Sequence, residues 1–520
     1  MILRTLLTFG LLAAPTPAPA ATLASAAERP AVAWQECPAY SDDVLRWMGL
    51  DDQRLPQFRK LFGRTECGTL AVPQNYADPG GKQITIALTR LKAADQEHRL
   101  GSLAVNPGGP GGSGYLMPIE LAMTDARLNA RYDLIGFDPR GVGYSTKAKC
   151  PGGKAEPMPP GPVTEELARK VYDQTVEDNR ACGRSDPGFI GQLTTANVAR
   201  DIDRVRAALG ESKISFLGVS WGTWLGTVLR SLFPTKVHRM WLDSVALPVP
   251  RMDVFTEVRA MATDRDFQRM AEWIADRDDV YGFGTTKAQV VSALTELRKA
   301  YDAKPVTFTD IDLTVTGPLI ADAAGQPSPG WPEVAQVLKE LVGATGPTAP
   351  PTIKRIFGDR PPPAPAGVPE RQNRTANVAF FCNEDQGPRT FDSAWNAYRE
   401  RLARYPVTGE ATAFFPACAG WPLPVQATRL RPGGSLVLSG HLHESPSPYE
   451  WTLETRAAVG GHVVTVDDDV HGSALRVPGC LAKVVGYFET GRVTATCPGV
   501  PVPASTELPG RSELSMTAPR

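Results

Sequence analysis

The chain has 520 residues, more than one ordinary domain needs, so a large core with an inserted or appended unit is expected. Hydrophobic residues make up 42% and charged residues 21%, a globular composition that excludes a disordered chain. With 55 Lys plus Arg against 56 Asp plus Glu, the formal charge of -1 leaves no electrostatic footprint for nucleic acid or for an anionic membrane surface.

At the N-terminus Met1-Ile2-Leu3-Arg4 carries one positive charge, residues 5–14 are apolar, and Ala18-Pro19-Ala20 and Ala24-Ser25-Ala26 offer small-residue cleavage sites. This spacing predicts a signal peptide over 1–26, with an apolar run too short to span a bilayer. No cysteine stands near the cleavage sites to take a lipid, and no later apolar run reaches membrane-spanning length. A secreted, extracellular protein is expected.

Moving along the chain, residues 83–91 alternate polar and apolar as a half-solvated strand does, and 102–106 and 132–138 read as short buried strands. Val198, Ile202, Val205 and Leu209 share one helical face, with Gly210 placed to stop the helix. A strand over 214–219 follows, then a helix carrying Trp224, Leu225, Val228 and Leu229 that Pro234 ends, then a strand over 237–242. Such alternation implies a mostly parallel sheet with helices on both faces. After Pro248 the rhythm changes to helical stretches over 290–301 and 334–342 and a Pro-rich connector over 346–369. Strands over 435–438 and 462–466 and a helix over 480–489 close the pattern. The expected organisation is therefore a core over 27–248, a cap insertion over 249–427, a second core segment over 428–498, and a disordered Pro/Ser-rich tail over 499–520. The cap would sit over the carboxyl ends of the strands, where folds of this kind bind ligands.

Eight cysteines suit an oxidising destination, and none forms a C-x-x-C pair, which disfavours zinc ribbons and thioredoxin-like redox motifs. Joining sequential neighbours is the simplest pairing, because each bridge then closes a short loop: Cys37–Cys67, Cys150–Cys182, Cys382–Cys418 and Cys480–Cys497.

Gly218-Val219-Ser220-Trp221-Gly222 is a G-x-S-x-G pentapeptide between a predicted strand and a predicted helix. A strand-to-helix turn that sharp presents the serine as a nucleophile and admits only glycine at its close neighbours. Asn106-Pro107-Gly108-Gly109-Pro110-Gly111-Gly112 follows a strand end, where backbone N–H groups approach a developing oxyanion unhindered. Trp221 and Gly109 are thus the expected oxyanion donors. The general base belongs after the last strand, and of the six histidines His471, in Asp467-Asp468-Asp469-Val470-His471-Gly472, has that place.

Taken with Asp138-Pro139-Arg140-Gly141-Val142-Gly143-Tyr144-Ser145, Cys67-Gly68-Thr69-Leu70-Ala71-Val72-Pro73 and the closing Pro478-Gly479-Cys480 to Cys497-Pro498, these motifs resemble the secreted tripeptidyl aminopeptidases. That family lies in the prolyl-aminopeptidase-like branch of the α/β-hydrolases, and the likeness spans most of residues 35–498. The resemblance implies an α/β-hydrolase fold and a secreted serine exopeptidase that cleaves peptides from free N-termini without a cofactor or a metal. Where the family carries an Asp-Pro-x-Thr-Pro segment, this chain has Gly440-His441-Leu442-His443-Glu444-Ser445-Pro446-Ser447-Pro448. Counting back from Pro448 aligns Glu444 with the acid that orients the histidine; Asp243, after its own strand, is the fallback. The resemblance also places Glu384 and Asp385, just after Cys382, near the substrate amine. The chemistry alone leaves room for a secreted esterase or lipase on the same triad, for a non-catalytic binding protein, and for a metal site at His441-x-His443-Glu444. Expected partners are peptide substrates, met by a monomer, with neither nucleic acid nor membrane involved.

Overall fold

A computed structural model describes residues 30–125, 127–151, 161–359 and 362–508, so the expected signal peptide lies outside the described residues. The strands are β1 (Ala33–Gln35), β2 (Thr65–Pro73), β3 (Gln83–Leu91), β4 (Gly101–Asn106), β5 (Tyr132–Phe137), β6 (Ile214–Val219), β7 (Val237–Asp243), β8 (Val306–Phe308), β9 (Leu313–Val315), β10 (Val437–His441), β11 (His462–Asp467) and β12 (Thr496–Pro498). One sheet takes the order β1-β2-β3-β5-β4-β6-β7-β10-β11-β12, while β8 and β9 pair separately as a hairpin. From β5 to β12 all neighbours are parallel, and β1, β2 and β3 form an antiparallel edge.

Every residue of β5, β6 and β10 is buried, as parallel strands covered on both faces must be. The pleat sends alternate side chains to opposite faces. Ile214 and Phe216 pack with Trp224, Leu225 and Val228 of the helix Trp221–Leu232, and Leu217 and Val219 join the other core with Leu481 and Val484 of the helix Pro478–Thr490. Arg140 lies wholly inside, its guanidinium paired with Asp201 at 2.7 and 2.8 Å and donating to the carbonyls of Pro73 and Gln74. That pairing explains why the Asp138-to-Ser145 motif carries an arginine.

Between β7 and β10 the chain builds a helical layer with its own core around Phe267, Trp273, Trp331 and Leu338. Its first helix, Met252–Ala275, is absent from the sequence reading. The reason is that Arg259, Asp266 and Arg269 interrupt the apolar stripe that would have announced it. β10 likewise runs on to His441, because Gly440 and His441 still pair with Thr465 and Val466 of β11.

Of the tail expected to be disordered, residues 509–520 lie outside the described residues, while residues 500–504 are tied to the core and the cap. Val500 N–H donates to Asp468 at 2.8 Å, and Trp273 and Arg277 donate to the carbonyls of Pro503 and Ala504 at 2.7 and 3.0 Å. A Pro-rich segment cannot form a regular element, but its carbonyls remain good acceptors.

The disulfides join Cys37 to Cys67, Cys150 to Cys182, Cys382 to Cys418 and Cys480 to Cys497. The last ties the final helix to β12 across a separation of 17 residues. Replacing both of its cysteines by serine should lower unfolding free energy by ~2–4 kcal/mol. Denaturant titration checks this, and an unchanged midpoint would contradict it.

Candidate active site

Ser220 stands between β6 and the helix Trp221–Leu232 with φ 59° and ψ -128°, a left-handed conformation that a non-glycine residue holds only under constraint. The constraint is steric. A Cβ on Gly218 would lie 2.4 Å from the Gly222 carbonyl oxygen, and one on Gly222 would lie 2.7 Å from the Asn106 carbonyl oxygen. Both glycines of the pentapeptide are therefore required for the turn to close against β4.

The glycine-rich loop after β4 comes up beside the serine. A Cβ on Gly108 would meet Ser220 Cβ at 2.8 Å and Trp221 N at 3.0 Å, so only glycine lets this backbone approach. Asn106 Oδ1 takes the Gly108 N–H at 3.0 Å. Among the described residues the N–H groups of Gly109 and Trp221 have no protein acceptor, which leaves both for an oxyanion. The loop is braced from the cap: Gln372 and Asn377 both donate to the Pro110 carbonyl at 2.7 Å, and Asn373 N–H donates to Gly111 at 2.9 Å.

His471 follows β11 and lines the same cavity as Ser220. Its Nδ1 is hydrogen-bonded to Oε1 of Glu444, which is fully buried at the end of β10. That contact fixes the ring and leaves its Nε2 without a protein partner among the described residues. The loop itself is held by Gly472 N–H donating to Ser244 Oγ at 2.8 Å.

Asp243 does not reach His471. Its Oδ1 accepts from Ser439 Oγ at 2.5 Å and meets His441 Nε2 at 3.0 Å. The other nitrogen of His441 faces Asp468 at 2.6 Å, and Asp468 also accepts from Ser473 at 2.6 Å. His441, considered above as a metal ligand, is thus a buried ring between two carboxylates. Among the described residues no His/Cys/Asp/Glu group is arranged to hold a metal ion.

The cavity, about 230 Å³, is walled by Trp221, Trp224, Phe255, Phe380, Phe381 and Trp451. Glu384 lines it, with Oε1 accepting Thr195 N–H at 2.5 Å and Oε2 accepting from Thr195 Oγ1 and Trp224 Nε1 at 2.9 and 3.0 Å. Burial pushes its carboxyl up to about 7, against the pull of those donors. Asp385, expected beside it at the substrate, does not line the cavity. It accepts the N–H groups of Met252 and Gly387 at 2.9 and 3.0 Å and faces Arg389 at 3.2 Å. Met252 opens the first cap helix, so Asp385 satisfies a helix start instead. Met252, Phe255 and Arg259 on the first cap helix and Trp451 on the helix Tyr449–Val459 also line the cavity and were not found from sequence, since nothing in a linear pattern marks which side of a helix meets the site.

A parallel sheet whose central strand turns through a strained serine, with a histidine after the last long strand lining the same cavity, defines an α/β-type serine hydrolase. Comparison with known proteins agrees: the alpha/beta hydrolase fold model matches residues 102–280 and the TAP-like protein model matches residues 405–499. The chain belongs to the α/β-hydrolase fold family, in its branch of tripeptidyl-aminopeptidase-like proteins. It is 30% identical to the tripeptidyl aminopeptidase of Streptomyces lividans over 92% of this chain and 88% of that protein. It is 28% identical to the serine protease Hip1 of Mycobacterium tuberculosis over 84% of this chain and 87% of that one. A protein named carboxylesterase B from the same organism is 30% identical over 94% of this chain and 96% of its own length.

Burial opposes a charge on His441, but the Asp243 and Asp468 carboxylates outweigh it and raise the ring well above its ordinary 6.5. A group raised on folding stabilises below its unfolded value and loses that contribution as pH rises through the folded one. Unfolding free energy should therefore decline above pH 6.5 in the wild type. His441→Gln should reduce this slope, leaving the part due to the raised carboxyls of Glu384 and Asp266, and cost ~3–5 kcal/mol by leaving two carboxylates uncompensated. Denaturant titrations between about pH 5 and 9 read both effects; a slope unchanged by the substitution would contradict them.

Proposed function

We propose that this chain is an exported serine aminopeptidase that removes short peptides, tripeptides foremost, from free N-termini through an acyl-enzyme on Ser220. The observation that carries this reading is the cavity at Ser220: small, covered by the cap, and carrying the buried carboxylate of Glu384 among aromatic walls. A cleft for internal cleavage would run open past the serine. Four disulfides support an extracellular place of action.

On this reading His471 takes the Ser220 proton as the hydroxyl attacks the scissile carbonyl, and Glu444 steadies the imidazolium that forms. The N–H groups of Trp221 and Gly109 receive the oxyanion. His471 then protonates the leaving amine, and water releases the acyl group by the reverse of these steps. Ser220→Ala and His471→Ala should each lower kcat by about 10⁶-fold, with no further loss in the double variant because the pair acts as a unit. Glu444→Gln should lower kcat by up to about 10⁴-fold by favouring the wrong tautomer. Steady-state kinetics check this; full activity in Glu444→Gln would return the acid to another residue.

Glu384 is the group suited to a substrate ammonium, worth ~1.5–3 kcal/mol as a charge-assisted contact. Its carboxyl ionises near 7, and a peptide α-ammonium loses its proton near ~7.7–8.0. The ratio of kcat/KM for a free-amine peptide to that for an aryl ester should therefore peak between about pH 7 and 8. Glu384→Gln should flatten the peak by raising KM, and N-acetylation should lower kcat/KM at least about ten-fold. Equal cleavage of acetylated and free peptides would instead favour the second reading, a secreted esterase, which the aromatic walls of the cavity also suit.

A further inference from the structure

The first cap helix, Met252–Ala275, turns one stripe toward the candidate nucleophile: Met252, Phe255 and Arg259 all line the cavity that contains Ser220 and His471. The first two fit an apolar wall. Arg259 does not.

The cations around it on this helix are each matched. Arg251 pairs with Asp253, Arg265 with Glu450, and Arg269 with Asp266 and, at 3.3 Å, with Asp469. Across the helix Glu257 is taken by Arg404 at 2.9 Å. The Arg259 guanidinium, among the described residues, makes neither an ion pair nor a hydrogen bond. It lies over the Phe255 ring at 5.0 Å, and Phe255 in turn stacks on Trp451 at 5.4 Å and tilts against Phe381 at 5.8 Å. The cation is thus carried on an aromatic shelf inside the cavity, with its N–H donors unspent. Desolvation holds its pKa below the ordinary arginine value, and Glu444 offsets this only through space. The side chain is partly buried, and a cation held there with no carboxylate against it gives up solvation that no ion pair repays. The flat fork of a guanidinium matches a carboxylate through two parallel hydrogen bonds, which no point charge or neutral group does as well.

We infer that Arg259 is a specificity residue that receives a carboxylate of the substrate beside the scissile bond. The inference rests on the peptidase reading for its substrate class, and gives that reading a polarity: Glu384 for the amine and Arg259 for an acid. The carboxylate has two possible sources, an acidic side chain on the acyl side or the C-terminus of a short peptide on the leaving side. With the second source the enzyme would favour short peptides over long ones.

The test compares substrates in matched pairs, so that a general loss of activity cancels within each ratio. Peptides with Glu or Gln at the residue whose carbonyl is attacked examine the acyl side. Tetrapeptides ending in a carboxylate or an amide examine the leaving side. Two ester pairs repeat the comparison without peptide chemistry: 4-nitrophenyl hemisuccinate against 4-nitrophenyl butyrate, and 3-acetoxybenzoate against 3-acetoxybenzamide. The wild type should favour the carboxylate member on one side by at least about ten-fold in kcat/KM, a ratio that corresponds to ~1.4 kcal/mol. Arg259→Gln should bring that ratio to within about two-fold of one, and Arg259→Lys should retain part of it, because the charge stays and the fork is lost. Ratios near one in every wild-type pair, or a preference undiminished in Arg259→Gln, would overturn the inference. Esters that show the Arg259-dependent preference while no peptide is cleaved would uphold it and overturn the peptidase reading instead.

Discussion

A serine at φ 59° is held only because three stretches of backbone crowd it: the end of β4 beneath, the Gly108 turn beside, and the helix that starts at Trp221 above. Strain of this kind costs ~1–3 kcal/mol and persists where the surrounding packing leaves no relaxed alternative. Here that packing is the buried centre of the sheet, with β4 on one side of β6 and β7 on the other. Ser220 N–H donates back to the Asp243 carbonyl at 3.0 Å, so the same residue that ends β7 also anchors the turn. The hydroxyl is presented because the sheet cannot give way.

From that fixed point the remaining groups are placed through polar links rather than apolar packing. Asp243 holds His441, His441 holds Asp468, and Asp468 holds Ser473, two residues beyond His471. Ser244 holds the backbone of Gly472. The cap joins the same loop through Asp469, which accepts from Ser328 at 2.8 and 3.0 Å and pairs with Arg269. The three consecutive aspartates before His471 thus divide their work: Asp468 faces the sheet and Asp469 the cap, while Asp467 closes β11. In effect the histidine loop is clamped between core and cap, and its geometry depends on both.

How much of this the sequence carries follows from the range of each interaction. The pentapeptide at Ser220, the glycine loop at Gly108 and the position of His471 are legible because they impose local backbone demands that only certain residues meet. Glu444 was reachable only through the resemblance, by aligning it back from Pro448 with the acid of the family's Asp-Pro-x-Thr-Pro segment. The nearest-neighbour disulfide pairing was accessible because each bridge closes a short loop. Arg259, His441 and Asp385 were not legible as what they are. His441 and Asp385 take their roles from partners far along the chain, His441 from Asp243 and Asp468 and Asp385 from Met252, while Arg259 comes to the cavity of Ser220 only once its helix is docked on the sheet. A charged residue read alone is a solvated residue; only the fold shows which ones lost their water. The first cap helix was hidden by that same feature, because Arg259, Asp266 and Arg269 stand among its apolar residues.

The central claim is that a peptide with a free N-terminus is transferred to Ser220. Rapid acid quenching during turnover of a free-amine tripeptide thioester, followed by proteolysis and mass spectrometry, tests it most directly. The account predicts a tripeptidyl adduct on the fragment containing Ser220, strongly reduced when the tripeptide is N-acetylated. An adduct on another residue, or equal labelling by the free and acetylated tripeptides, would contradict it.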